Sequence, residues 1–246
     1  MASKRHSLRQ IFSAYALVSA GVFAVTRLQS ESGIGRYVPL VVAAIFLVSA
    51  IGLTRDDPAH YGVALGGLLE PPRDDRPVGP LGLLDLARAL RRAAPSAAVE
   101  LGAAVVVAAV VFPLYTLGYW WWNEPLNQPS LRLPSELANL AIAQVVVVAL
   151  PEEAFFRGYL QTALQDVGMR RRRVLGVALA PGAWLLQALL FALIHFLVEA
   201  HPARLAVFFP ALLFGWTRAW RGGIGAALAL HAMSNLYSEI LRRSWL

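Results

Sequence analysis

Apolar residues gather in seven long runs: Ile11–Leu28, Tyr37–Leu53, Ser96–Tyr119, Ser135 to about Leu164, Val174–Val198, Ala203–Ala219 and Gly223–Ile240. A helix needs about 20 apolar residues to cross a bilayer, and the runs have that scale. The pattern predicts an all-α fold, a polytopic transmembrane helical bundle of seven to eight helices. The fourth run is too long for one straight crossing, and Pro151 inside it is expected to kink it. A part after Pro151 that re-enters or extends along the interface would supply the eighth segment.

The longest polar stretch runs from Thr54 to Pro95. Within it, Glu70-Pro71-Pro72-Arg73-Asp74-Asp75-Arg76-Pro77 cannot continue a helix and reads as a surface loop. Beyond it Leu83, Leu86 and Leu90 recur at helical spacing, with Asp85, Arg88 and Arg92 on another face. This predicts a short amphipathic helix, either lying on the membrane or capping the bundle. The chain therefore divides into N-terminal membrane helices with a polar loop and amphipathic segment (1–134) and a membrane core (135–246), within one structural unit. Lys4, Arg5 and Arg9 precede the first run. That run is long for the apolar region of a signal peptide, although Ala20 and Ala24 would suit cleavage, so a retained first helix is expected.

Composition agrees. Hydrophobic residues make up 57% of the chain and charged residues 15%, against about 45–50% and about 25% in soluble domains. The net charge of +7 does not point to nucleic acid, because the basic residues lie between the apolar runs, where they act as topology signals. With the N-terminus inside, fifteen of the 22 Lys and Arg residues fall on the inner side and six on the outer; Arg157 alone is left inside a run. A cytoplasmic N-terminus follows. Trp120-Trp121-Trp122 reads as an interfacial aromatic belt, and Arg170–Arg173 as a cytoplasmic anchor that also suits anionic lipid. There is no cysteine, so no disulfide, thiolate nucleophile or Cys-ligated metal is possible. No internal repeat is visible. A single lysine amid abundant Arg and Ala points to a GC-rich bacterial source, and hence to the inner membrane.

Three apolar segments carry polar residues that are costly in a bilayer and so mark a site. They are Glu152-Glu153-Ala154-Phe155-Phe156-Arg157, Phe191-Ala192-Leu193-Ile194-His195 and His231-Ala232-Met233-Ser234-Asn235. Residues four apart share a helix face. Glu153 should therefore pair with Arg157, leaving Glu152, which points elsewhere, to act as a general base on water. Phe191 and His195 share a face, as do His231 and Asn235, whose neutral donors would suit a developing oxyanion. Competing readings are a buried ionic lock, a proton relay in a transporter, and a zinc site built from the histidines and a glutamate. The His-Glu-x-x-His spacing of many zinc proteases is absent. Ser234 adjoins the site without a Gly-x-Ser-x-Gly turn.

The order Glu-Glu-x-x-x-Arg, Phe-x-x-x-His, His-x-x-x-Asn resembles the CPBP intramembrane proteases, also called the Abi or type II CAAX prenyl endopeptidase family. The resemblance covers roughly Ser135 to Ile240. It implies a bundle of about eight helices with a water-accessible cavity. Glu152 would activate water with help from His195. His231 and Asn235 would form the oxyanion hole, with Glu153, Arg157 and Phe191 in support. It implies no metal or cofactor, with zinc as the alternative. The expected partners are the lipid bilayer and a membrane-anchored protein or peptide substrate, not nucleic acid. Members include prenyl-protein endopeptidases, bacteriocin-processing or immunity proteins, and proteases acting on membrane-anchored sorting tails.

Overall fold

The computed structural model describes residues 6–31, 33–65, 83–123 (side chains from 90 onward) and 130–245. Among these residues it is an all-α bundle of seven helices: α1 (Leu8–Thr26), α2 (Val38–Thr54), α3 (Leu83–Asn123), α4 (Leu137–Asp166), α5 (Pro181–Glu199), α6 (Phe208–Arg221) and α7 (Gly225–Trp245). Five of them are long and apolar enough to cross a membrane, namely the first, second and fifth, most of α3 and all of α4. The chain is an integral membrane protein. The last two helices fall short of that measure. With 14 residues, α6 is only about 21 Å long. Helix α7 carries Glu239, Arg242 and Arg243 near its end.

Local signals set the boundaries. Ser7 caps α1: its Oγ accepts from the Gln10 amide while Gln10 Oε1 accepts from the Ser7 amide, a reciprocal capping box. Gly222, at φ 78°, ends α6 in the left-handed conformation that costs glycine least. Helix α4 is continuous through Pro151, so no separate eighth segment begins there. Proline removes one N–H and crowds the preceding turn. Here the turns on either side widen to π-helix, at Gln144–Ala149 and Ala154–Leu160. Such widenings inside α-helices gather at functional sites.

Two further expectations are corrected. The run from Val174 does not start a helix. Arg172–Val174 and Val177–Leu179 form a small antiparallel hairpin, β1 and β2, turning at Leu175 and Gly176, both at positive φ. Helix α5 begins only at Pro181, whose fixed φ and missing N–H suit a first helical position. The amphipathic segment is no separate element either. It is continuous with the third crossing in the 41 residues of α3, through Pro95 and Pro113. The side chains that defined its two faces before residue 90, and the loop Glu70–Pro77, lie outside the described residues. The tryptophan triplet ends α3 and is exposed, as a belt would be.

Helix α4 is the centre of the bundle. From Glu153 to Leu164 every residue is buried, enclosed by Tyr15 of α1, Phe46 of α2, Phe191 of α5 and Ala211 of α6. Helix α3 lies outside this ring, with Ala104 and Ala108 packed against Ala227 and Leu230 of α7. The helices alternate in direction. One face gathers the starts of the odd-numbered helices and the ends of the even-numbered ones. There His60 Nε2 lies 2.7 Å from Asp166 Oδ2, and Arg221 donates to Glu100 at 2.8 Å. On the opposite face, Arg27 donates to the Val198 carbonyl at 2.7 Å and the Ser130 amide to that of Ser244 at 3.0 Å.

Candidate active site

Burying Glu153 requires compensation, because an isolated carboxylate in an apolar interior is strongly disfavoured. The compensation comes from two sides. Glu153 Oε1 accepts from Arg157 Nη1 at 2.9 Å and from His231 Nδ1 at 2.8 Å. Glu153 and Arg157 are both 0% exposed. The guanidinium lies between two aromatic faces, 4.3 Å from the Phe191 centroid and 5.2 Å from that of Phe214. Its Nη2 donates to the Ala211 carbonyl at 3.4 Å. The expected pairing of Glu153 with Arg157 is present, and it extends to a third member on α7.

Glu152 makes no ion pair with Arg157 but approaches the same histidine from its other ring nitrogen. Its Oε2 is buried without a hydrogen-bond partner among the described residues and lies 3.8 Å from His231 Nε2. Glu152 and His195 both line a cavity of about 120 Å³ whose walls are mostly apolar. A water needs about 10–15 Å³ of such volume, so the cavity has room for several.

The histidine tautomers follow from their partners. His195 Nδ1 is 2.8 Å from the Phe191 carbonyl oxygen. A carbonyl only accepts, so Nδ1 carries the proton, and Nε2 of the neutral ring keeps its lone pair. His231 faces a carboxylate oxygen that already accepts from arginine, so its Nδ1 also donates. This changes one expectation: the neutral form of His231 has no N–H left for an oxyanion. Its Nε2 can donate only when the ring carries a second proton.

Asn235 is half-buried, and its Nδ2 donates to Gln144 Oε1 at 2.8 Å. Gln144 opens the first π-segment of α4. One amide proton is thereby fixed in direction, and the second remains for another acceptor. Ser234 Oγ donates to the Leu230 carbonyl at 2.7 Å, one turn back in its own helix, and has no part in the cluster. Asn235→Ala should leave thermal stability nearly unchanged. It should slow turnover by about 10²–10³-fold, as loss of an oxyanion donor does; steady-state kinetics beside a melting curve checks both halves.

The structure thus brings Glu152, Glu153, Arg157, Phe191, His195, His231 and Asn235 into one region. Sequence reasoning missed Phe214, which stacks on His231 at 4.8 Å and 17°, the Ala211 carbonyl, and Gln144. The first two belong to α6, which carries no motif. Gln144 is the one polar side chain amid Leu137–Leu150 other than Asn139, a signal that the sequence does offer. Among the described residues, no group of three or more His, Asp or Glu side chains converges as a metal site requires. Glu153 and Nδ1 of His231 are already committed to each other, which would leave only Glu152, His195 and Nε2 of His231 as donors.

A helical membrane bundle with an ionisable site at its core is the class defined so far. Residues 134–237 match the family model described as Type II CAAX prenyl endopeptidase Rce1-like. The match lies where the three motifs fall, and it shows that this segment is similar to that family. No curated protein and no solved structure matches the chain.

Proposed function

We propose that the protein is an intramembrane endopeptidase that hydrolyses a peptide bond in or beside the membrane segment of another protein, using water activated by Glu152. The observation that carries this reading is Glu152, whose Oε2 is buried without a hydrogen-bond partner among the described residues and whose side chain lines a cavity with His195. Glu152 takes a proton from water as the water oxygen attacks the carbonyl carbon. His195 orients that water through Nε2. The negative charge that forms on the carbonyl oxygen is stabilised by Asn235 and by His231 in its imidazolium form. Collapse of the tetrahedral intermediate breaks the C–N bond, and the proton held by Glu152 passes to the leaving nitrogen. Glu153, Arg157 and Phe191 position His231 and do not touch substrate.

The match to a family of prenyl endopeptidases supports the peptidase chemistry. It does not carry the prenylated substrate with it. A bacterial inner-membrane location, with the N-terminus cytoplasmic and a role in processing or sorting membrane-anchored proteins, fits the arginine distribution and composition better. The test is a comparison of protein termini in membranes from strains carrying the wild type or Glu152→Gln. Accumulation of an uncut membrane precursor in the variant is expected. Identical termini throughout would favour a binding or transport role instead.

The glutamate reading also predicts the response to metal removal. Chelation of the purified protein should leave activity nearly unchanged, and metal analysis should find no stoichiometric zinc. One tightly held zinc whose removal abolishes cleavage and whose return restores it would overturn the assignment of Glu152.

A further inference from the structure

We infer that the substrate reaches Glu152 and His195 from the face opposite the N-terminus, which is the non-cytoplasmic face in the proposed orientation. Entry is through a mouth between α1, α2 and α5. The substrate class that fits is a membrane protein whose scissile segment lies where an apolar span emerges on that side. The inference rests on the reading of Glu152 and His195 as the reacting pair.

The cavity holding these two residues has its rim at one face of the bundle. Its polar rim residues are Thr26, which ends α1, Glu199, which ends α5, and Arg204 in the turn that follows. Its α2 wall includes Val42, in the second turn of that helix. All of these elements belong to the face opposite the start of α1. Depth along α5 agrees. His195 is four residues from Glu199 and fourteen from Pro181, or about 6 Å against about 21 Å at 1.5 Å per residue.

The other direction is closed. Beyond Glu152, toward the face of the N-terminus, α4 presents Phe155, Phe156, Tyr159, Leu160 and Leu164, each 0% exposed. The α2–α3 connection seals the end, with Tyr61 and Val63 buried against this helix. That closed face also carries the larger share of the arginines, among them the run Arg170–Arg173, and so marks the cytoplasmic side.

The mouth suits an apolar chain. Val22, Phe46 and Ile194 line the walls. The Arg204–Glu199 ion pair stands at the rim with both side chains more than 40% exposed. An exposed pair of this kind is worth about 0–1 kcal/mol, so it can part without a large barrier. Arg27 holds the ends of α1 and α5 together through the Leu197 and Val198 carbonyls, and so fixes the width of the opening.

The absence of cysteine from the chain makes the test direct. Single-cysteine forms of the full chain would carry Thr26→Cys or Glu199→Cys at the rim, Ile194→Cys in the cavity, or Arg172→Cys on the exposed hairpin as the opposite-face reference. Each is treated with a small membrane-impermeant cationic thiosulfonate in spheroplasts and in inverted membrane vesicles. Rim and cavity cysteines should react at least about tenfold faster in spheroplasts, and Arg172→Cys in inverted vesicles. Reaction of Ile194→Cys from the same side as Arg172→Cys would overturn the inference, as would its failure to react from either side while the rim cysteines do. Labelling of Arg172→Cys from the spheroplast side would overturn the orientation and the inference with it. Labelling needs no cleavage. A protein that labels as expected but yields no precursor with Glu152→Gln would keep the sided cavity and lose the protease.

Discussion

Replacing Glu152 by Gln is expected to lower turnover by about 10²–10⁴-fold, the range contributed by a positioned general base. The substitution keeps the shape of the side chain and removes only its ability to take a proton. Folding should survive, because Glu152 holds no other element in place. Its only charged neighbour within ion-pair range among the described residues is His231 Nε2, at 3.8 Å. Membrane insertion and the thermal midpoint should match the wild type. His195→Ala should lose less, because His195 orients the water and the carboxylate stays. The measurement is single-turnover cleavage of the precursor that accumulates in the Glu152→Gln strain, with purified variants. Full activity of Glu152→Gln would remove the mechanism. An equal loss in Glu153→Gln with an unchanged melting curve would show that the base had been assigned to the wrong glutamate.

The distinction between those two adjacent glutamates is legible in the sequence, from the turn of about 100° between neighbours on a helix and the four-residue step from Glu153 to Arg157. What the chain does not reveal is how many groups converge on that step. His231 belongs to a motif 78 residues away from Glu153 in sequence, and nothing in its spacing says which nitrogen faces which carboxylate. Phe214 and Ala211 act through a ring face and a backbone carbonyl. An apolar run displays both without distinction.

The same limit explains the misread boundaries. Val174 to Ala180 is apolar, β-branched in part and short, and periodicity alone does not separate a brief hairpin from the first turns of a helix. Pro181 is the boundary signal available there. Pro151 lies inside α4 without dividing it. A proline predicts a break when the flanking turns are α-helical, but the π-widened turns around it accommodate the missing N–H and keep α4 whole. That continuity carries Glu152 and Arg157 on one rigid element and aligns them with His195 and His231.

Arg157→Ala should be the most destabilising single change in the site. It leaves the Glu153 carboxylate buried with His231 as its only partner and removes the cation from between Phe191 and Phe214. Breaking one side of a buried ion pair typically costs about 3–5 kcal/mol, a large part of the roughly 5–15 kcal/mol that holds a domain folded. The expected result is a lower melting temperature in detergent together with low activity. His231 loses its orientation when Glu153 is no longer anchored. Arg157→Lys should fall between the two. It keeps the charge but not the planar fork that reaches Glu153 and the Ala211 carbonyl at once, nor the flat surface that stacks against two rings. Restoring the melting temperature of Arg157→Ala with Glu153→Gln as a second change would show that the uncompensated charge is the cause. The double variant should remain slow, because His231 would then face a neutral amide. If Arg157→Ala instead melts like the wild type and is inactive, Arg157 acts on the substrate and the roles given to Arg157 and Asn235 must be exchanged.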